Sequence, residues 1–140
     1  MAREPNDGAI AERARKSLGL LTIRQLEGIG ITRQRRRTLV ARETLVPLGR
    51  GVFRHCAWSD SWEQRVLAAV LEAGPGAVAS HLAAALWRFE GISRGQAEVT
   101  VPAGRHPVPS HGTIHRSRDL VAADIEPRVR IPTTTAARTL

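Results

Sequence analysis

Five arginines, Arg33, Arg35, Arg36, Arg37 and Arg42, share residues 33–42 with Gln34 and Thr38, directly after Thr32. On a helix laid in the major groove of a duplex, guanidinium groups bond phosphate oxygens. An Arg or Gln near the helix start can pair bidentately with a guanine or adenine edge. Arg50 and Arg54, around the turn that follows, are within reach of the flanking backbone. The candidate interface with double-stranded DNA is therefore Thr32, Arg33, Gln34, Arg35, Arg37, Thr38, Arg42, Arg50 and Arg54. Arg36 is left out. With Leu39 and Val40 facing a core, the helical repeat asks for an apolar side chain near position 36, so either its stem snorkels and leaves the charge at the rim or the helix packs less well than its repeat implies. Five phosphate contacts would give a slope of log affinity against log salt of about −4 to −5. The competing reading is a solvated charged face in an arginine-biased chain, because every cation except Lys16 is arginine.

Other chemistry finds less support. A restriction-type nuclease needs acidic metal ligands with a nearby lysine, and Lys16, the only one, has Ala14 two residues before it. His106, His111 and His115 lack helical spacing and a cysteine or carboxylate cluster to complete four ligands, so no metal is expected. Asp119, Asp124 and Glu126 read as solvated loop charges rather than a general acid and base. Cys56 beside His55 would point to the opposite face of a strand, which argues against a nucleophile pair. Trp62, Trp87 and Phe89 are expected in the core, and His81 as a half-buried imidazole behind a helix cap. The chain is thus expected to be non-enzymatic and without cofactors.

The field that would draw a polyanion is uneven. In 140 residues with a formal charge of +8, residues 1–58 hold 12 basic and 5 acidic side chains, and residues 59–140 hold 9 and 8. The basic half suits nucleic acid. The apolar fraction of 42% is that of a folding chain, enough for one ordinary domain or two small ones. No apolar run approaches a membrane span, and the lone Cys56 agrees with a reducing compartment, so a cytoplasmic protein is expected.

The elements that must position these residues follow from periodicity and caps. Ile10, Ala14 and Leu18 predict a helix over residues 9–18, closed by Gly19. Thr22 with Gln25 is a capping-box pattern, and Thr32 caps the arginine-rich segment. Residues 44–48 and 52–54 flank Gly49-Arg50-Gly51 as a hairpin, with Pro47 confining its strand to a sheet edge. Three helices and a hairpin are the order of a winged helix-turn-helix, assigned to residues 1–57. Residues 58–140 read as a small α+β module, making the whole an α+β fold. There Ser59 is the expected cap of a helix with Trp62, Val66, Ala69, Val70 and Ala73 on one face, stopped by Gly74-Pro75-Gly76. Ser80 is expected to cap a further helix through Leu82, Ala85, Leu86 and Phe89. Glu98–Pro102, Thr113–Ser117 and Arg128–Ile131 are the expected strands.

In these residues the chain resembles the actinobacterial family with an AbiEi-type antitoxin N-terminal domain, the regulator half of type IV toxin–antitoxin systems. The likeness lies in Leu21 to Phe53; in Leu67-Ala68-Ala69-Val70 leading to Gly74-Pro75-Gly76-Ala77-Val78; and in Ser80-His81 with Ala83 to Trp87. It continues through Glu98 to Pro102, His115 to Leu120, and Ile131 to Thr135 with Arg138-Thr139-Leu140. It implies a winged helix that represses its own operon and opposes a nucleotidyltransferase toxin without a stable complex. Many relatives continue into a domain similar to very-short-patch-repair endonucleases, so the end at Leu140 reads as a truncation. Two departures stand out: Arg36, where an apolar residue is typical, and Glu43, where glycine often precedes the wing. The alternatives are a protein-interaction module docking the arginine helix on an acidic partner, or the inactive remnant of a nuclease-like protein.

Overall fold

A computed structural model describes residues 7–80, 83–88, 95–105, 107, 110 and 112–139. They form two compact units, divided between Asp60 and Ser61. The fold is mixed α+β with a separate sheet in each unit. No helix among the described residues is long and apolar enough to cross a membrane.

The first unit runs α1 (Asp7–Arg15), β1 (Leu20–Thr22), α2 (Ile23–Gly28), α3 (Arg33–Ala41), β2 (Leu45–Gly49) and β3 (Val52–His55). Helix α1 ends three residues before the expected Leu18. Leu18 and Gly19 both take positive φ, and the Gly19 amide returns to the Ala14 carbonyl at 2.8 Å. Gly19 tolerates no side chain, since a Cβ there would strike the Trp58 ring as well as being strained at φ +87°. Strand β1, only three residues long, was not visible in the sequence. It is held by its partner β3, with Leu20 opposite Arg54 and Thr22 opposite Val52.

Thr22 and Gln25 close the expected capping box: Thr22 Oγ1 accepts from the Gln25 amide at 3.2 Å, and Gln25 Oε1 accepts from the Thr22 amide at 3.0 Å. The sheet order is β1-β3-β2, so Pro47 does lie on an edge strand. Ile10, Ala14, Leu21, Leu26, Ile31, Leu39, Leu45 and Phe53 make the core. All three helices contribute to it, and this burial, at roughly 25 cal/mol per Å² of apolar surface, fixes their relative placement.

The second unit comprises α4 (Trp62–Ala73), β4 (Val78–Ala79), α5 (Ala83–Leu86), β5 (Glu98–Pro102), β6 (Thr113–Ser117), a 3-10 turn at Ala122–Asp124, β7 (Ile125–Arg128), β8 (Ile131–Thr134) and α6 (Ala136–Thr139). Its mixed sheet has the order β6-β5-β4-β8-β7, parallel at β5–β6 and β4–β8 and antiparallel at β4–β5 and β7–β8. Helix α4 lies over β4, β5 and β8.

Several expectations are corrected here. The cap of α4 is Ser61, whose Oγ accepts from the Gln64 amide at 3.1 Å, and not Ser59. The buried face of α4 is wider than expected, taking in Gln64, Leu67 and Ala68, because the helix covers three strands. Ser80 is no cap: its amide bonds the Glu98 carbonyl and its buried Oγ has no partner. Helix α5 ends at Leu86, and His81, Leu82, Phe89, His106 and His111 lie outside the described residues.

The strand expected over Arg128–Ile131 is instead the tight turn joining β7 to β8, with Val129 at φ 50° and Arg130 at φ 63°. Two consecutive positive φ values define the turn that suits a twisted hairpin, but Asn-Gly is its usual sequence signal and a β-branched Val conceals it. Trp62 and Trp87 are half-buried rather than fully buried, each donating its indole N–H to a backbone oxygen, of Gly95 at 2.9 Å and of Thr134 at 3.0 Å. Asp119 is more than a solvated charge. It takes Arg138 Nη2 at 2.8 Å and Ser117 Oγ at 2.6 Å, and these bonds hold its carboxyl well below the usual aspartate range.

Candidate nucleic-acid interface

Thr32 opens α3 in extended backbone, and its Oγ1 accepts from the Arg35 amide at 3.1 Å. Leu39 is the buried anchor of the helix and Val40 packs beside it on the core. These two contacts fix the rotation of α3, and the 3.6-residue repeat then sends Arg33, Gln34 and Arg37 to solvent. Arg33 and Arg37 stand one turn apart on one flank. Neither makes an ion pair among the described residues. Gln34 and Thr38 occupy the neighbouring flank, where Thr38 Oγ1 donates to the Gln34 carbonyl at 3.2 Å. Thr32 Oγ1 keeps its proton to donate and Thr38 Oγ1 its lone pairs to accept, so both can still bond outward beside the exposed amide of Gln34.

The other candidates separate. Arg35 is half-buried and approaches Asp7 of α1, with Nη2 at 3.8 Å from Oδ1. Arg42, at the end of α3, and Arg50, in the β2–β3 turn, are exposed. Arg54 turns inward. Its Nη1 donates to the Trp58 carbonyl at 2.6 Å and its Nε is buried without a partner, so it serves the unit's own backbone and not the outer surface. Its place opposite Leu20 on a central strand, which the sequence does not reveal, is the reason. Arg24 on α2 was not singled out from sequence, yet it is exposed.

Arg36 is partly buried, with Nη1 enclosed and without a hydrogen-bond partner. It lines an open surface groove of about 400 Å³ between α3 and the hairpin, together with Arg33, Arg37, Val40, Pro47 and Phe53. Close by in sequence, Glu43 holds φ 60°, the conformation glycine adopts without cost, in the bend that leads into β2.

Cys56 is exposed, and His55 is engaged elsewhere: its Nδ1 accepts from the Ala57 amide at 3.1 Å and its ring meets Trp58 edge-on at 5.4 Å. Burial holds the His55 pKa below its ordinary value, against a smaller opposing pull from Asp7. In the second unit His115 pairs with Glu98 at 3.5 Å. Among the described residues no group of three or more His, Cys, Asp or Glu could hold a metal ion. Compared by sequence with known protein families and with curated proteins, the chain matches none of them.

Proposed function

We propose that residues 1–60 are a winged helix-turn-helix that binds double-stranded DNA, and that the chain is a transcriptional regulator. The order α1-β1-α2-α3-β2-β3 with a β1-β3-β2 sheet supports this reading, in which the third helix would enter the major groove and the hairpin lie along the adjacent backbone. The observation that carries the reading is the outward flank of α3: Arg33, Gln34 and Arg37 exposed, with no acidic residue in the helix. Gln34 has the hydrogen-bonding fork that reads adenine, and the arginines pair with phosphate or guanine.

The phosphate contacts in this reading are the four exposed candidates Arg33, Arg37, Arg42 and Arg50. Electrophoretic mobility shifts of a duplex carrying the chain's own promoter test this across a salt series. A slope near −3.6 in log affinity against log salt is expected from four contacts at about −0.9 each, falling by about 2 in the double variant Arg33→Ala/Arg37→Ala. An affinity indifferent to salt, or unmoved by that variant, overturns the proposal. The family resemblance extends the reading to an antitoxin that represses its operon and opposes a nucleotidyltransferase. Growth rescue in cells expressing a toxin encoded beside this gene tests that extension.

A further inference from the structure

We propose that β6 is a docking edge for an extended acidic segment of a partner protein, which joins the larger sheet as an added strand. β6 is an outer strand, and in its parallel pairing with β5 the Thr113 amide donates to the Ala97 carbonyl at 3.0 Å. Strand backbone alternates, so Thr113, His115 and Ser117 spend their N–H and C=O groups on β5, while those of Ile114 and Arg116 point away from the sheet. Neither of these two amides has a partner among the described residues. Of the outer strands β1, β2, β6 and β7, β6 alone has five residues that all carry an amide hydrogen. An incoming antiparallel segment would exchange a pair of bonds with Ile114 and a second pair with Arg116.

Charge selects the segment. Arg105, Arg116 and Arg118 are exposed, and none of them makes an ion pair among the described residues. Arg116 Nε donates to the Arg105 carbonyl at 3.0 Å, which holds this guanidinium beside the strand and leaves its terminal nitrogens to bond outward. The carboxylates nearest in the chain are engaged, Glu98 with His115 at 3.5 Å and Asp119 with Arg138 at 2.8 Å. Residues directly opposite one another share a face of the sheet, so a glutamate across from Arg116 meets an opposite charge and an apolar side chain across from half-buried Ile114 gains contact. In the segment's own direction the preferred pattern is acidic, any residue, apolar, with a further acidic residue two positions earlier for Arg118. A second copy of β6 would bring arginines toward arginines. A nucleic-acid backbone offers the guanidinium groups its phosphates but has no donor for the outward carbonyls of Ile114 and Arg116, whereas an acidic peptide supplies both.

Titration of the isotope-labelled full chain with acetyl-Glu-Thr-Glu-Thr-Val-Thr-amide, followed by amide NMR, tests the edge. Saturable movement of the Ile114 and Arg116 amide resonances is expected at millimolar peptide, with the counterpart acetyl-Lys-Thr-Lys-Thr-Val-Thr-amide weaker by about fivefold or more. N-methylation of the second glutamate and the valine removes the donors to Arg116 and Ile114 and should abolish the movement. Arg116→Ala keeps the outward amide and should reduce the preference for glutamate while the movement at Ile114 persists. Unmoved Ile114 and Arg116 amides, equal binding of the N-methylated peptide, or equal binding of the lysine peptide overturns the proposal, as does a preference unchanged in Arg116→Ala. Movement of the same amides on dilution of the protein alone, or with a DNA duplex and not with the peptide, also overturns it, in favour of a second copy or of nucleic acid.

Discussion

Replacing Arg36 by methionine should stabilise the first unit, although it removes a charged residue from a helix. Methionine has nearly the helix propensity of arginine and a similar unbranched stem, so the backbone and the contacts beside Val40 are retained. What disappears is a buried Nη1 with no partner. A buried polar group without a hydrogen bond costs about 1–3 kcal/mol, and more when charged. Arg36 as a whole is only partly buried, so the rest of its guanidinium keeps access to water and the lower half of that range applies. A gain of about 1–2 kcal/mol should raise the melting temperature of a unit this size by about 4–16 °C. Differential scanning calorimetry of the full chain gives the shift, and urea titration gives the free energy with an unchanged m-value. Equal or lower stability in the methionine variant would refute the reasoning, because it would mean that the guanidinium is already satisfied.

Glu43→Gly, at φ 60°, should stabilise the first unit by about 1 kcal/mol, the cost of a left-handed L-residue less the entropy glycine loses on folding; a chemical denaturation midpoint that falls refutes it. Val129→Asn with Arg130→Gly should stabilise the second unit by about 1–2 kcal/mol by giving the β7–β8 turn its preferred residues, readable as slower amide exchange in those strands. His55, its pKa lowered by burial, binds protons more readily when unfolded. Stability of the first unit should therefore fall as pH drops below about 6.5, until the folded-state pKa is passed. His55→Gln should flatten that slope in melting temperatures taken between pH 7 and pH 5.

The parts legible in the sequence are those specified by neighbours in the chain. The capping box at Thr22 and Gln25, the Thr32 cap and the alternating strands Glu98–Pro102 and Thr113–Ser117 depend on contacts of three or four residues or on strict periodicity, and all are present. Strands β1 and β4, of three and two residues, are too short to carry a period and exist because distant strands pair with them. The arginine cluster was visible as a composition, but its division was not. Which arginine meets Asp7, which turns toward Trp58 and which loses every partner depend on α1 and β3, far along the chain. The turn at Val129-Arg130 stayed hidden because its residues contradict the geometry they adopt, and Glu43 does the same on a smaller scale.

Pro47 on β2 has a consequence for self-association. An outer strand offers amide hydrogens to any incoming extended segment, and proline has none to give. The hairpin side of the three-stranded sheet is interrupted in this way, while the opposite side is β1, three residues long. The outermost β7 of the larger sheet carries Pro127 in the same role. Strand addition between copies is therefore interrupted at β2 and β7, where these prolines stand, while β6, the other outer strand of the larger sheet, carries no proline.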